Sequence, residues 1–468
     1  MSTAPHMLSN GRYATFLSAA GTGYSVWNDL ALTRWTADPT EDNEGFFLYL
    51  RDRNSGSFWS LSQQPVSTPV GQRACRFQTH IAELRCEHED IEASLEVIIS
   101  PDADVELRRV TLRNYGDHPR RIELTSYAEV VLNTPAADAA HPAFSKLFIQ
   151  TEFDAASGAL LARRRPRTPD EPTGWLVHRL ISDPTTAPLY YETDRARFIG
   201  RGYTLAAPKA LVETTPLSGT VGNVLDPIIS IRRTVELATD GIAQLTFLIG
   251  AAPDRVAALA LAARFATPTA IEAAFQTTEV GSGRFDSLVS HPVPLANASW
   301  GKGEKCVADE PKTDEPLHFW NGYGGFNADG TEYVIRLQPE LNGRLRLPPL
   351  PWVNVIANPY FGFLASETGA GYTWSQNSRE NRLTPWRNDP ILDPHSEALY
   401  LRDEANGAFW SLQPGPISQP VLYEVRHGFG YSCYRHTSHE LDQEVWLFTP
   451  REDPIKIAQI QLRNLSDQ

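Results

Sequence analysis

The sequence predicts a mainly β protein in which one large antiparallel sandwich unit is carried twice, the second copy incomplete, with a short helix after the first. Three observations lead to that class. The chain repeats itself over long range, its apolar residues alternate with polar ones in runs closed by turn residues, and one stretch after the first copy has a convincing helical pattern. With 468 residues there is material for two large cores rather than one.

The repeat is collinear. Gly21-Thr22-Gly23-Tyr24-Ser25 returns as Gly369-Ala370-Gly371-Tyr372-Thr373, an offset of 348. Leu32-Thr33-Arg34-Trp35 matches Leu383-Thr384-Pro385-Trp386 at 351, so the second copy has gained three residues in between (351 − 348). Tyr49-Leu50-Arg51-Asp52 and Tyr400-Leu401-Arg402-Asp403 are identical. Gly56-Ser57-Phe58-Trp59-Ser60 then matches Gly407-Ala408-Phe409-Trp410-Ser411, and Leu112-Arg113-Asn114 matches Leu462-Arg463-Asn464 at an offset of 350.

Taken in chain order, residues 46–52 and 57–61 are aromatic-rich runs on either side of Asn54-Ser55-Gly56, and the second copy has Asn406-Gly407 there, a strong hairpin signal. Ile91, Ala93, Leu95, Val97 and Ile99 alternate with mostly polar neighbours, the period of a strand with one buried face. Further strands are expected over 121–132, 175–180, 230–237 and 243–250, followed by a helix over 253–265 that opens on Pro253. These elements make residues 1–280 the first domain. Residues 281–316 mix Pro, Gly and charge as a linker, and 317–351 form a short β segment that turns at Asn327-Ala328-Asp329-Gly330. The second unit occupies 352–468, where Ile460 and Leu462 alternate with Gln459, Gln461 and Arg463. Because Gln468 aligns with His118, half a unit is expected, and the strand over 455–464 should present an unpaired edge; a shortened coding region or a partner chain would account for it.

Composition narrows the partners. The 42 Lys and Arg against 56 Asp and Glu leave a net charge of −14, which opposes a phosphate backbone, so nucleic acid is not expected. No apolar run approaches the roughly 20 residues of a membrane helix, and residues 1–12 have neither a basic n-region nor an apolar h-region, so a cytoplasmic location is expected. Cys75, Cys86, Cys306 and Cys433 form no C-x-x-C pair, which speaks against a zinc or redox role, and no cofactor is expected. The 11 Trp and 16 Tyr offer flat apolar faces with polar edges, which suit sugar rings and core packing alike.

The motifs NGRYATFLSAAGTGYSVWNDLALTRW at 10–35, HPAFSKLF at 141–148, YETDRARFIGRG at 191–202, LDPI at 225–228 and PWVNVIANPYFGFLASETGAGYTWSQNSRENRLTPWRNDP at 351–390 resemble glycoside hydrolase family 94, the former glycosyltransferase family 36, especially the C-terminal region of cyclic β-1,2-glucan synthases. The resemblance covers nearly the whole chain outside about 280–315. It implies that each copy is a galactose-mutarotase-like supersandwich and that the ligand is a β-glucan or oligosaccharide. It further implies that the complete enzyme performs inverting phosphorolysis, with inorganic phosphate as co-substrate, on an (α/α)6 barrel that is not expected in this chain. On this view the chain contacts glucan without cleaving it alone, in the cytoplasm or at the inner membrane within a larger synthase. The alternative is a non-catalytic interaction subunit completed by a separately encoded (α/α)6 barrel.

An inverting phosphorylase needs a carboxylic acid to protonate the leaving oxygen and room opposite for phosphate. The resemblance places that acid in a Trp-Asn-Asp context on the barrel. Trp27-Asn28-Asp29 has those residues but lies in the first repeat, and Trp386-Arg387-Asn388-Asp389 is no equivalent, so no catalytic residue is expected here. The binding candidate is Asn377-Ser378-Arg379-Glu380-Asn381-Arg382, where the second copy is longer, because extra loop length on a rigid sheet commonly carries binding groups. Arg379 and Arg382 would grip hydroxyls or phosphate, Glu380 and Asn381 would accept and donate, and Trp374 and Trp386 would stack on a ring face. The competing account is ion pairs that pin the sandwich to a barrel. His141 and Lys146 read as packing, and Asp194, Arg195, Arg197 and Arg201 as a solvated, alternating strand face.

Overall fold

Alternating apolar residues become strands where a second sheet covers their inward face, and that condition is met twice along this chain. The computed structural model describes residues 6–36, 38, 40–66, 71–169, 171, 173–182, 187–281 and 315–466. It divides into two compact units, Met1–Asn297 and Ala298–Gln468. The expected linker lies, except at its ends, outside the described residues.

The first unit is built on two antiparallel sheets. One has nine strands, ordered His6–Ser9, Tyr13–Leu17, Gly23–Trp27, Leu30–Thr33, Arg120–Asn133, Pro227–Leu237 and Tyr190–Asp194, with Phe47–Asp52 and Phe58–Ser60 branching off. The other has eight: Ile149–Asp154, Ala159–Arg164, Trp175–Ser182, Ile242–Ala252, Val105–Asn114, Ile91–Ile99, Ala82–His88 and Gln72–Phe77. The long strand Arg120–Asn133 pairs with Pro227–Leu237 on one side, and on the other with Phe47–Asp52 and Leu30–Thr33 in turn. Buried Leu50, Ile122 and Leu124 from the first sheet meet buried Val110, Leu112 and Phe247 from the second in one core.

The outer face of the eight-stranded sheet is covered by helices. Leu107, Leu161, Val177 and Leu248 pack against Ala258, Ala262, Phe265, Ile271 and Phe275. The expected helix begins two residues later than its proline suggested, at Arg255, because Asp254 is the cap: its side chain accepts from the Ala257 amide at 2.8 Å. A second helix, Pro268–Gly281, was not singled out from the sequence; Thr267 accepts from the Ala270 amide at its start. No single helix among the described residues is long and apolar enough to cross a membrane, and the pair that passes by length and composition together is bent by 88°. Among the described residues the helices form no (α/α)6 barrel.

In the second unit, Val353–Ala357, Phe361–Ser366 and Gly371–Ser375 form a three-stranded sheet, and Tyr400–Arg402 and Phe409–Ser411 a hairpin. A six-stranded sheet runs Gly324–Phe326, Glu332–Leu337, Tyr423–Gly428, Tyr431–Ser438, Leu441–Phe448 and Ile457–Asn464. Phe363, Ala365 and Leu412 pack with Ile335, Tyr434 and Val445 in its core.

The repeat extends to single hydrogen bonds. In the first unit the Gly56 amide bonds to the Asp52 carbonyl at 2.9 Å and the Asp52 amide to the Ser57 carbonyl at 2.9 Å; Gly407, Asp403 and Ala408 repeat this at 2.8 Å each. The loop is therefore four residues long, not the two that Asn406-Gly407 suggested. The reason is the aspartate, whose Oδ1 accepts from the amide two residues on, Asn54 at 2.7 Å and Ala405 at 2.8 Å, leaving only the glycine left-handed. A two-residue turn occurs instead at Glu89-Asp90 and at His439-Glu440, all four with positive φ.

Candidate functional site

The three extra residues of the second copy act at one turn. In the first unit, Trp27 and Leu30 pair directly across Asn28-Asp29, a two-residue hairpin loop in which Asn28 is left-handed. The Trp-Asn-Asp motif is thus an exposed turn, with the indole N–H donating to Asp104 at 2.9 Å. In the second unit the equivalent ladder closes at Trp374 and Arg382, and residues 376–381 form a larger loop. Asn377 organises it: Oδ1 accepts from the Arg379 and Glu380 amides, each at 2.9 Å, and its carbonyl accepts from the Asn381 amide at 3.1 Å. The Ser375 amide donates to the Asn381 carbonyl at 3.0 Å, which ties the loop back to the sheet.

The structure brings some of the expected residues together and separates others. Arg379 and Glu380 form an exposed ion pair at 3.0 Å, beside the exposed Asn381. Arg382 is exposed but bonded to its own loop: it donates to the carbonyls of Ser378 and Trp386, both at 3.3 Å, and lies 5.7 Å from the centre of the Tyr372 ring. Trp386 is half-buried and stacks on Tyr372 at 5.0 Å, while Trp374 contacts the same tyrosine at 5.2 Å. Trp374 is buried and its ring fills the space over Gly362, where a Cβ would meet it at 2.5 Å, so it packs the sheet and does not face solvent. Sequence reasoning placed Asn377 in the candidate loop without giving it a role, and missed Tyr372. The signal for Tyr372 was its repeat partner Tyr24, which stacks between Phe16 and Trp35 in the first unit.

A second cluster gathers the other motifs. Lys146, Arg195 and Asp226, from HPAFSKLF, YETDRARFIGRG and LDPI respectively, meet Arg34, Glu129 and Asp138. Lys146 Nζ lies 2.7 Å from Asp226 and 3.4 Å from Glu129; Arg195 lies 2.8 Å from Glu129 and 3.0 Å from Asp226; Arg34 reaches Glu129 at 3.0 Å. Tyr127 donates to Glu129 at 3.3 Å, and burial, more than the neighbouring carboxylate, pushes its hydroxyl pKa well up. Three cations balance three carboxylates, the condition under which buried charge is tolerated. Two expectations change here. Arg195 is buried rather than solvated, and the segment after Asp194 is a helix, Arg195–Ile199, capped by Asp194 through the Ala196 amide at 2.9 Å. The alternation of charges concealed a helical turn in which Arg195 points into the cluster while Arg197 is exposed. His141 is exposed between two short helices.

Among the described residues no group of three or more His, Cys, Asp or Glu side chains is arranged to hold a metal. Cys75, Cys86 and Cys433 are unbridged, and burial pushes their thiols up to about 12, 11 and 12, the opposite of what a reactive cysteine requires.

A family model described as glycosyl hydrolase 94, supersandwich domain, matches residues 3–268 and 331–468. The cyclic beta-(1,2)-glucan synthase NdvB of Rhizobium meliloti (strain 1021) is 30% identical over 636 aligned positions, covering 98% of this chain and 22% of that protein. The N,N'-diacetylchitobiose phosphorylase of Vibrio furnissii is 32% identical over 149 residues, covering 31% of this chain and 18% of its own length. The chain therefore spans less than a quarter of either relative. A solved structure of bacterial glucoamylase complexed with acarbose aligns with a TM-score of 0.36 at 7% identity, over 58% of this chain and 35% of that one.

Proposed function

The chain belongs to the glycosyl hydrolase 94 supersandwich family, and on that premise we propose that it is the glucan-contacting sandwich region of a β-1,2-glucan-active phosphorylase or synthase, not catalytic alone. The observation that carries this is the enlarged loop at 376–381, which presents Arg379, Glu380 and Asn381 to solvent beside the half-exposed ring of Trp386. These groups donate to and accept from hydroxyls next to an apolar face, a binding chemistry. Glu380 sits in an exposed ion pair, unlike the acid of an inverting pair, and phosphate in this proposal is consumed on a barrel outside the chain. Incubation of the purified chain with β-1,2-glucan and inorganic phosphate is expected to show saturable binding and no glucose 1-phosphate, with binding weakened by Arg379→Ala together with Trp386→Ala. Release of glucose 1-phosphate would overturn the proposal.

A second reading is favoured by the strand Ile457–Asn464, which pairs on one side only among the described residues and is exposed along most of its length. In that reading the chain is an interaction module completed by a partner that carries an (α/α)6 barrel. Mixing the chain with a separately expressed family 94 barrel is then expected to yield phosphorolysis that neither part shows alone.

A further inference from the structure

The ionic cluster around Glu129 is balanced charge for charge, and a second cluster in the first unit is not. Tyr190–Asp194 stops pairing with the strand Pro227–Leu237 at Arg232, and beyond that point a cavity of about 560 Å³ opens along the strand. Arg53, Arg121 and Arg233 line it against two carboxylates, Glu123 and Glu236. Both carboxylates are already engaged, Glu123 by Arg53 at 3.2 Å and Glu236 by Arg121 at 3.7 Å. Arg233 pairs with no carboxylate among the described residues; its Nη1 donates to Ser182 Oγ at 2.7 Å, and its Nε is buried with no hydrogen-bond partner.

The wall behind Glu123 adds to the excess. Arg51 and Arg232 stand 4.0 and 3.9 Å from Glu123 Oε2, both are buried, and neither meets another carboxylate among the described residues. They donate to the carbonyls of Glu213 and Ala210, which satisfies hydrogen bonds without supplying a full charge. Five guanidiniums thus share two carboxylates, an excess of three (5 − 2) in a chain whose net charge is −14. Glu123 Oε2 is itself buried and accepts no hydrogen bond. Burial, with the neighbouring Arg51 and Arg53, pushes Arg232 down to about 10, and burial lowers Arg233 as well. Charge this deep is tolerated when an opposite charge meets it, so an anion is the group that would complete the balance.

We infer that this cavity binds a sugar phosphate, with the phosphate among Arg53, Arg121 and Arg233 and a ring hydroxyl donating to Glu123 Oε2. A phosphate monoester carries nearly two negative charges and so offsets most of the excess, where a carboxylate would offset only one charge. A bare phosphate would fill little of the volume and would face the Glu123 carboxylate. A hydroxylated ring fills it and brings the donor that Glu123 Oε2 lacks. The remaining wall suits such a ring, since Tyr190 and Pro216 are flat and apolar while Thr234 and Gln244 offer hydrogen bonds. The site lies in the first unit and uses no residue of the loop at 376–381.

Calorimetric titration of the full chain with glucose 1-phosphate, the product of the proposed phosphorolysis, tests the inference. Saturable binding is expected, together with a rise in melting temperature. Glucose, inorganic phosphate and glucuronate are each expected to bind at this site at least roughly tenfold more weakly. Arg233→Met keeps the bulk of the stem and breaks no ion pair; it is expected to weaken glucose 1-phosphate roughly tenfold, the effect of losing one charge-assisted contact, without lowering the melting temperature of the ligand-free chain. Arg121→Ala, at the exposed rim, is expected to weaken binding by less. No binding of glucose 1-phosphate, or binding indifferent to Arg233→Met, would overturn the inference. So would Arg233-dependent binding of glucose, inorganic phosphate or glucuronate as tight as that of glucose 1-phosphate, or a ligand-free chain destabilised by Arg233→Met, which would make Arg233 a packing residue. Failure of glucan to bind at Arg379 and Trp386 would sink the proposed function and leave this site standing.

Discussion

Val105–Asn114 and Ile457–Asn464 have the same alternation, end on the same Leu-Arg-Asn, and pair in the same way with a preceding strand entered through a two-residue turn. One is buried almost throughout and the other almost nowhere. The comparison separates what the chain dictates locally, namely strand, register and turn, from what neighbours supply, which is burial. The polar residues between the sheets make the same point. In the first unit Ser25 donates to the buried Glu106, which pairs with Arg108. In the second, Lys456 occupies the Glu106 position and Glu397 the Phe46 position, so the carboxylate has crossed to the other side. It is now held by Lys456 at 2.6 Å and by the hydroxyls of Thr373 and Thr384. The two copies thus hold opposite charges at one site, fully buried in the first and half-buried in the second.

The sharpest way to break the comparison is to remove the same side chain from both copies. Leu112→Ala deletes a fully buried leucine and is expected to cost about 2–5 kcal/mol in the first unit. Leu462→Ala, at the aligned but exposed position, is expected to cost under about 0.5 kcal/mol. Urea titrations followed by hydrogen exchange, read separately for segments of each unit, would measure both. Equal costs would mean that Leu462 is covered in solution and that the contrast is false.

Acid sharpens the contrast by a smaller amount. His178 in the first unit is buried, yet its ring nitrogens lie 2.9 Å from Ser126 Oγ and from the Leu248 carbonyl. In the second unit His436 is buried against Tyr423 with no hydrogen-bond partner at either nitrogen, and half-buried His427, on the adjoining strand, has its ring nitrogens 2.9 Å from Ser432 Oγ and 3.2 Å from the Trp352 carbonyl. Burial pushes all three down, His178 and His427 to about 4 and His436 to about 3. The folded state therefore stays neutral while the unfolded chain binds protons below the ordinary histidine value of 6.5, so stability falls as pH drops from there. Each such histidine contributes a slope of up to about 1.4 kcal/mol per pH unit. His6 and His88 in the first unit and His439 in the second are lowered as well, three in each unit, so both units are expected to lose stability as pH falls from 6.5 to 5, and His436→Phe is expected to flatten the slope of the second unit alone. A slope unchanged by that substitution would show that His436 is not the source.

How much of this was legible follows the same division. Strand positions such as 91–99 were readable because alternation is written into the residues, and the strand over 457–464 was readable because the repeat aligned it with 107–114. The ionic cluster was not, since Arg34, Glu129, Lys146, Arg195 and Asp226 are far apart in sequence and only the fold joins them. Trp374 and Trp386 look alike as letters, but one faces Gly362 and the other a solvent-lined stack, a distinction set by pleat and partner. The second helix escaped because its apolar positions face a sheet whose outer surface cannot be inferred from the strands alone.

The smallest expected effect tests the part of the comparison in which the copies should agree. Gly56 and Gly407 have φ of 80° and 74°, and a Cβ added at either meets nothing within 4 Å. An alanine there is opposed only by the left-handed backbone, at about 1 kcal/mol, and the same penalty is expected in both units. Both loops are closed by their own aspartate and glycine, and in the first unit the flanking strand adds Arg120 on Asp52 at 2.6 Å and the Arg121 amide on Asn54 Oδ1 at 3.1 Å, none of which involves the glycine. Should Gly407→Ala prove clearly cheaper than Gly56→Ala by hydrogen exchange across each hairpin, the open edge would be letting the turn relax. Burial by neighbours would then reach even the elements that looked purely local.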